Sequence, residues 1–142
     1  MEVKDIVDLD IVKTNMTAKT KDDALNDLAN QLLRNGYISE VEGFIKDIYA
    51  REAEGQTGIG NYIAIPHGKS AYVNKIGVAI GINQEDGKGV KGIILFAVGN
   101  DNDGATNHLK LLSLFARKLG NDEVVGNLLQ AKKPEDVVEA FA

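Results

Sequence analysis

The chain has 142 residues, 44% of them apolar, and a net charge of -5. That length fits one domain, residues 1–142, large enough to bury a real core. With no cysteine there is no disulfide framework, thiolate metal site or cysteine nucleophile, and the acidic balance, with no basic stripe, argues against nucleic acid as a partner.

Val7 to Val12 alternates apolar and acidic residues and reads as a first strand. Thr20 then opens TKDDALNDLANQLLRNGY, with Asp23 placed like a capping partner. Ala24, Leu25, Leu28, Ala29, Leu32 and Leu33 share one helical face, and Gly36 supplies the left-handed residue that ends the helix. Ser39 and Glu42 form a capping box for a second helix, which buries Val41, Phe44, Ile45, Ile48 and Tyr49 and runs to about Glu54. Gly55 to Gly60 is a turn-rich connection. Strands are expected over Tyr62–Ile65, Ile76–Ile82 and Gly92–Val98; the apolar run ILFAV in the last suits a central strand covered on both faces. Between the last two, Asn83–Lys91 is polar and glycine-rich, a hairpin or a looser turn.

After a loop over Gly99–Asn107, a third helix is expected to begin near Gly104–Asn107. It carries His108 at its start, then Leu109, Leu111, Leu112, Leu114, Phe115 and Leu119. Gly120 breaks it, and Val124, Val125, Leu128 and Leu129 form a fourth. Pro134 sits at the first position of a fifth helix, PEDVVEAFA. The order β-αα-βββ-ααα places helices before and after the strands, so the class is α/β with both sheet faces covered. The longest apolar run, Ile93 to Val98, is far too short to span a bilayer. The acidic start MEVKDIVDLD is not a signal peptide, so a cytoplasmic chain with no direct membrane insertion is expected.

Chemistry gathers around residues 58–70, GIGNYIAIPHGKS. Pro66 has a fixed φ and no N–H, and belongs at a strand end or edge. Gly68 adds little bulk, so His67 is presented at a rim on a stiffened backbone. That suits a nucleophile or a ligand; a loop histidine with no further role fits the three residues equally well. Charge shifts the balance. From Gly55 to Gln84 there is no carboxylate, in a chain with 21 of them, while Lys69 and Lys75 lie in that window and Arg51 just before it. Turns such as TGIGN can aim several N–H groups at one anion. Together these features suit phosphate, although Arg51 alone reads as a solvated residue complementing a helix dipole. The other histidine, His108, would sit at a helix N-terminus, which attracts anions. Zinc on the two histidines with Asp101 or Asp103 lacks ligand spacing, and a serine hydrolase lacks a nucleophile motif.

The run REAEGQTGIGNYIAIPHGKS, Arg51 to Ser70, resembles the phosphorylation-site region of the fructose/mannitol-type enzyme IIA domains of the sugar phosphotransferase system (PTS EIIA type-2). NHLKLLSLFARKL, Asn107 to Leu119, resembles that family's second histidine region. The resemblance spans essentially the whole chain. It implies a three-layer α/β/α sandwich with a small mixed sheet, and a phosphocarrier role. His67 matches the histidine that takes a phosphoryl group from HPr and passes it to a IIB component, which phosphorylates sugar during uptake through a membrane IIC component. His108 matches the second histidine, which supports the phosphoryl group without carrying it, and Arg51 an arginine near the phosphate.

Such a carrier needs a nucleophile strong near neutral pH, which imidazole is. It needs no cofactor and no metal, because phosphoryl transfer is mainly positioning and charge stabilisation. One imidazole nitrogen must keep its lone pair while the other donates to a carbonyl; the sequence does not say which. The site must also be open to protein partners, with a modest apolar patch to which Ile59, Tyr62 and Ile63 would contribute. The same chemistry would serve a regulatory IIA-like module whose His67 phosphorylation reports nutrient status to a protein target. A plain anion-binding module would instead depend on Arg51 and not on His67.

Overall fold

The computed structural model describes residues 3–53, 58–59, 63–83, 91–99 and 102–141. The element order is α1 (Val3–Ile6), a 3-10 turn (Leu9–Ile11), β1 (Val12–Met16), α2 (Lys21–Arg34), α3 (Val41–Glu52), β2 (Gly58–Ile59), β3 (Ile63–Ala64), β4 (His67–Lys69), β5 (Gly77–Asn83), β6 (Gly92–Val98), α4 (Asn102–Leu119), α5 (Asp122–Leu129) and α6 (Pro134–Ala140). Among the described residues no helix is long and apolar enough to cross a membrane. The connection at 84–90 lies outside the described residues.

The sheet runs β1-β5-β6-β3-β2, with β4 also on β6. Antiparallel pairing of β5 with β6 and parallel pairing of β1, β3 and β4 make it mixed. The apolar run over Gly92–Val98 is central, as its composition requires. Ile94, Phe96 and Val98 face one core with Leu111, Phe115, Leu119, Val125 and Val137 from the last three helices. Ile93, Leu95 and Ala97 face the other core, with Leu25, Leu28 and Leu32 of α2 and Phe44, Ile45 and Ile48 of α3. A buried parallel-type strand needs apolar residues at both parities because each face meets a helical layer. The result is the expected three-layer α/β/α arrangement. Edge-to-face contacts of Phe115 with Phe96 (centroids 5.4 Å) and with Phe141 (5.3 Å) tie the sheet to both α4 and the C-terminus.

Helix ends follow their local chemistry, with one correction. Thr20 caps α2 by accepting from Asp23 N at 3.1 Å, and Gly36 follows its C-terminus with φ +80. The cap of α3, however, is Glu40, which accepts from Gly43 N at 3.2 Å, whereas Ser39 Oγ donates to Tyr72 O. Ser39 is drawn off by the β4–β5 connection, leaving the longer carboxylate one residue on to fold back. Burial on α3 is narrower than expected: Tyr49 is 38% exposed and donates to Asp22 at 2.6 Å. Leu33 of α2 is likewise exposed.

The first strand is displaced as well. Residues 9–11 form a 3-10 turn and β1 starts only at Val12. Asp8 accepts from Asp10 N at 2.9 Å, a local bond that competes with extended structure despite the alternating pattern. Asp8 also accepts from the Tyr37 hydroxyl at 2.7 Å. Burial first, then the hydrogen bond and charge of Asp8, push the Tyr37 phenol from 10.0 up to about 12. The folded chain therefore keeps this proton longer than the unfolded one. The stability it contributes is complete below the unfolded value and is lost as pH rises through the folded value. In Tyr37→Phe, the fall in urea stability between pH ~10 and pH ~12 should be shallower than in the wild type. An unchanged slope would rule out this linkage.

Candidate functional site

His67 does not close the strand before it but opens the next one, β4. β3 and β4 pair with β6 in one continuous parallel register: Ile63↔Gly92, Ala64↔Ile93, His67↔Phe96, Gly68↔Ala97, Lys69↔Val98. The two short strands are thus one line of chain broken at Pro66. Proline cannot donate to the ladder, so it interrupts the pairing without shifting it. Its carbonyl still accepts from Phe96 N at 3.1 Å, and Ser70 N donates to Val98 O at 2.9 Å beyond β4. The strand expected over Tyr62–Ile65 is correspondingly shortened, and His67 is held from both sides.

The imidazole is half-buried, with Nδ1 3.0 Å from Ile65 O. A carbonyl only accepts, so Nδ1 carries a proton, and in the neutral ring the lone pair lies on Nε2. Residues opposite in a parallel pair share a sheet face. His67 is opposite Phe96, whose ring packs on Phe115, so His67 is on the α4 side. Gly68 and Ser70 alternate to the α3 side, where Ser70 Oγ donates to Asp47 Oδ2 at 2.7 Å.

Arg51 stands half-buried in the last turn of α3, the helix packed along β4. Lys69 is exposed on β4. Lys75 does not join the patch; its ammonium sits 4.3 Å from the centroid of the Tyr37 ring. The position of His108 needs correcting too. Helix α4 starts at Asn102, so residue 108 lies in its second turn and not at its start. The dipole field is concentrated in the first turn, which removes that part of the argument for His108. The helix runs further back because NDGATN continues it, where its composition reads as loop. The side chain of His108 lies outside the described part, as do Tyr62, Asp101, Thr57 and Gly60, and the side chains of Ile59 and Asp103. Among the described residues no group of His, Asp and Glu could hold a metal ion. Sequence patterns did not single out Asp47 or Ser70, although the four-residue spacing of Asp47 and Arg51 puts both on one helical face.

Residues 5–142 match the family described as "Phosphoenolpyruvate-dependent sugar phosphotransferase system, EIIA 2". The chain belongs to this family. It is 30% identical over 138 residues to the mannitol-specific phosphotransferase enzyme IIA component of Bacillus subtilis (strain 168), covering 92% of each. It is 28% identical to the PTS system 2-O-alpha-mannosyl-D-glycerate-specific EIIABC component of Escherichia coli (strain K12), over 99% of this chain but only 22% of that one. Among solved structures, the nitrogen regulatory protein IIA-Ntr of Neisseria meningitidis superimposes with a TM-score of 0.81 at 26% identity, covering 99% of both chains. The fold and the fructose/mannitol family read from TGIG and IPHG therefore stand.

Proposed function

We infer that the chain is one IIA domain acting as the phosphocarrier of a sugar phosphotransferase system, with His67 as the residue that carries the phosphoryl group. The observation that carries this reading is the bond from Nδ1 to Ile65 O, which leaves Nε2 as the nucleophile. In the transfer, the Nε2 lone pair forms a bond to phosphorus while the bond from phosphorus to the side chain of phospho-HPr breaks. HPr leaves with that electron pair. The reverse displacement passes the group to the IIB component, which with IIC in the membrane would phosphorylate sugar on uptake. A relative that unites IIA, IIB and IIC functions in one named chain supports IIB as the acceptor.

Nothing in this transfer requires a cofactor; the charge on the phosphoryl oxygens would be met by Arg51, by backbone N–H groups and by His108. If Arg51 holds those oxygens, Arg51→Ala should slow labelling by at least about tenfold while leaving the circular dichroism spectrum unchanged. Arg51→Lys should recover only part of the rate, because lysine lacks the planar fork. Wild-type rates in Arg51→Ala would return the residue to the solvated helix end.

The direct test is reconstitution with enzyme I, HPr and phosphoenolpyruvate, followed by trials of candidate IIB components. Acid-labile label on the chain that moves to a IIB component supports transport; a chain that takes no label is not a phosphocarrier. The likeness to a nitrogen regulatory IIA supports a second reading, in which His67 phosphorylation signals nutrient status to a protein target. A chain that is labelled by HPr, passes nothing to any IIB and binds a target only when unlabelled would favour it.

A further inference from the structure

Helix α3 is fastened to the chain just beyond strand β4 by two contacts set one helical turn apart. At the first, Gly43 lies under the Tyr72 ring, which a Cβ at that position would overlap. At the second, Asp47 Oδ2 accepts from Ser70 Oγ at 2.7 Å. Helix numbers rise as strand numbers fall, so the two segments run antiparallel. Four helical residues advance about 6 Å, close to the roughly 6.6 Å of the two-residue strand step from Ser70 back to Gly68. One further turn of the helix and one further step back along the strand would bring Arg51 level with Gly68, the residue beside His67. Gly68 has no side chain to block an arginine reaching over the strand toward the α4 face.

The Asp47–Ser70 contact differs in kind from the packing around it. Apolar contacts among Phe44, Ile45, Ile48 and the sheet press the helix down but are non-directional, so they resist sliding weakly. A hydroxyl-to-carboxylate bond is short and directional. Ser70 is 1% exposed, its N–H is bonded to Val98 O and its Oγ also accepts from Tyr72 N at 3.2 Å, so its hydroxyl is fixed to the sheet. The bond to Asp47 therefore ties the helix to the sheet along the helix axis.

We propose that the Asp47–Ser70 hydrogen bond is a positioning device for phosphoryl transfer at His67, holding Arg51 of α3 in register with the phosphoryl group on β4. The inference rests on the phosphocarrier reading of His67. Asp47 and Ser70 touch no phosphate; they act through Arg51.

The test is the rate of labelling from phospho-HPr in the full chain, with circular dichroism and urea melts alongside. Asp47→Ala and Ser70→Ala should each slow labelling by about tenfold, the scale expected when a binding group is misplaced by a fraction of an ångström. Asp47→Asn keeps an acceptor oxygen and should stay within about threefold of wild type. In an Arg51→Ala background, adding Asp47→Ala should change the rate by less than about twofold, because both changes remove the same function. Labelling of folded Asp47→Ala at the wild-type rate overturns the proposal. So does an undiminished effect of Asp47→Ala in the Arg51→Ala background, or a slowing that only tracks the unfolded fraction. Should Asp47→Ala not fold, Ser70→Ala carries the same expectations, since it leaves Asp47 free to meet water. A wild-type chain that takes no label defeats the phosphocarrier reading and this inference with it. A labelled wild type with an unaffected Asp47→Ala defeats this inference alone.

Discussion

His67→Ala should take no acid-labile label from phospho-HPr, while the folded chain persists. Loss of labelling should be complete, not partial, because no other described side chain offers the same combination. The nucleophile needs a ring nitrogen with a lone pair, and in the neutral ring of His67 the Nδ1 bond to Ile65 O places it on Nε2. It also needs a fixed backbone, which the common register of β3 and β4 on β6 supplies on either side of Pro66. The fold should tolerate the change. The ring is half-buried, and losing its Nδ1 bond to Ile65 O has a net cost of about 1 kcal/mol. Intact-mass or radiolabel measurement before and after acid treatment checks the outcome. Undiminished acid-labile labelling of His67→Ala would move the acceptor elsewhere and sink the assignment. The same variant separates the plain anion-binding module, which would retain phosphate affinity through Arg51 and lose nothing.

The parts of this fold that were legible in the sequence are those where local and tertiary preferences agree. The helical face of α2, its Thr20 cap and Gly36 stop, and the buried run of β6 each follow from side-chain chemistry that packing does not overrule. The misreadings have a common cause in backbone bonds that depend on partners distant in sequence. Alternation at Val7–Val12 reads as a strand until Asp8 folds onto Asp10 and receives the Tyr37 hydroxyl. Ser39 reads as a cap until Tyr72 O is brought beside it. Pro66 reads as a strand's end because a proline removes a donor, yet the partner strand sets the register and lets pairing resume at His67. At the site, the histidine was visible from PHG and the surrounding lack of carboxylates. Its tautomer, and the Asp47–Ser70 contact, exist only once the chain has brought Ile65 and α3 into place.

His108→Ala should accept label from phospho-HPr and pass it on poorly, slowed on the order of a hundredfold, as when one preorganised donor is lost from a developing oxyanion. The reason is no longer a helix N-terminus, since α4 begins at Asn102 and the dipole has faded by the second turn. What remains is backbone topology. Strand β4 runs parallel to β6, and α4 starts just beyond the carboxyl end of β6. Phe115 of α4 packs on Phe96, the residue opposite His67, and position 108 lies about two turns nearer the start of the helix. The first turns of α4 therefore stand at the end of the sheet toward which β4 points, on the face His67 shares with Phe96. In open α/β sheets ligands gather beyond such carboxyl ends. An imidazole N–H there would meet the added charge of about -1.5 to -2, by analogy with phosphoserine. Because it meets charge in both displacements, its removal should affect onward delivery as well as acceptance. Delivery should suffer more, since the incoming phosphoryl group is also held by HPr. Quench-flow transfer from the labelled variant to a cognate IIB measures this. Relay at the wild-type rate denies His108 any such role, and a folded variant that takes no label at all makes the proposed division between the two histidines wrong.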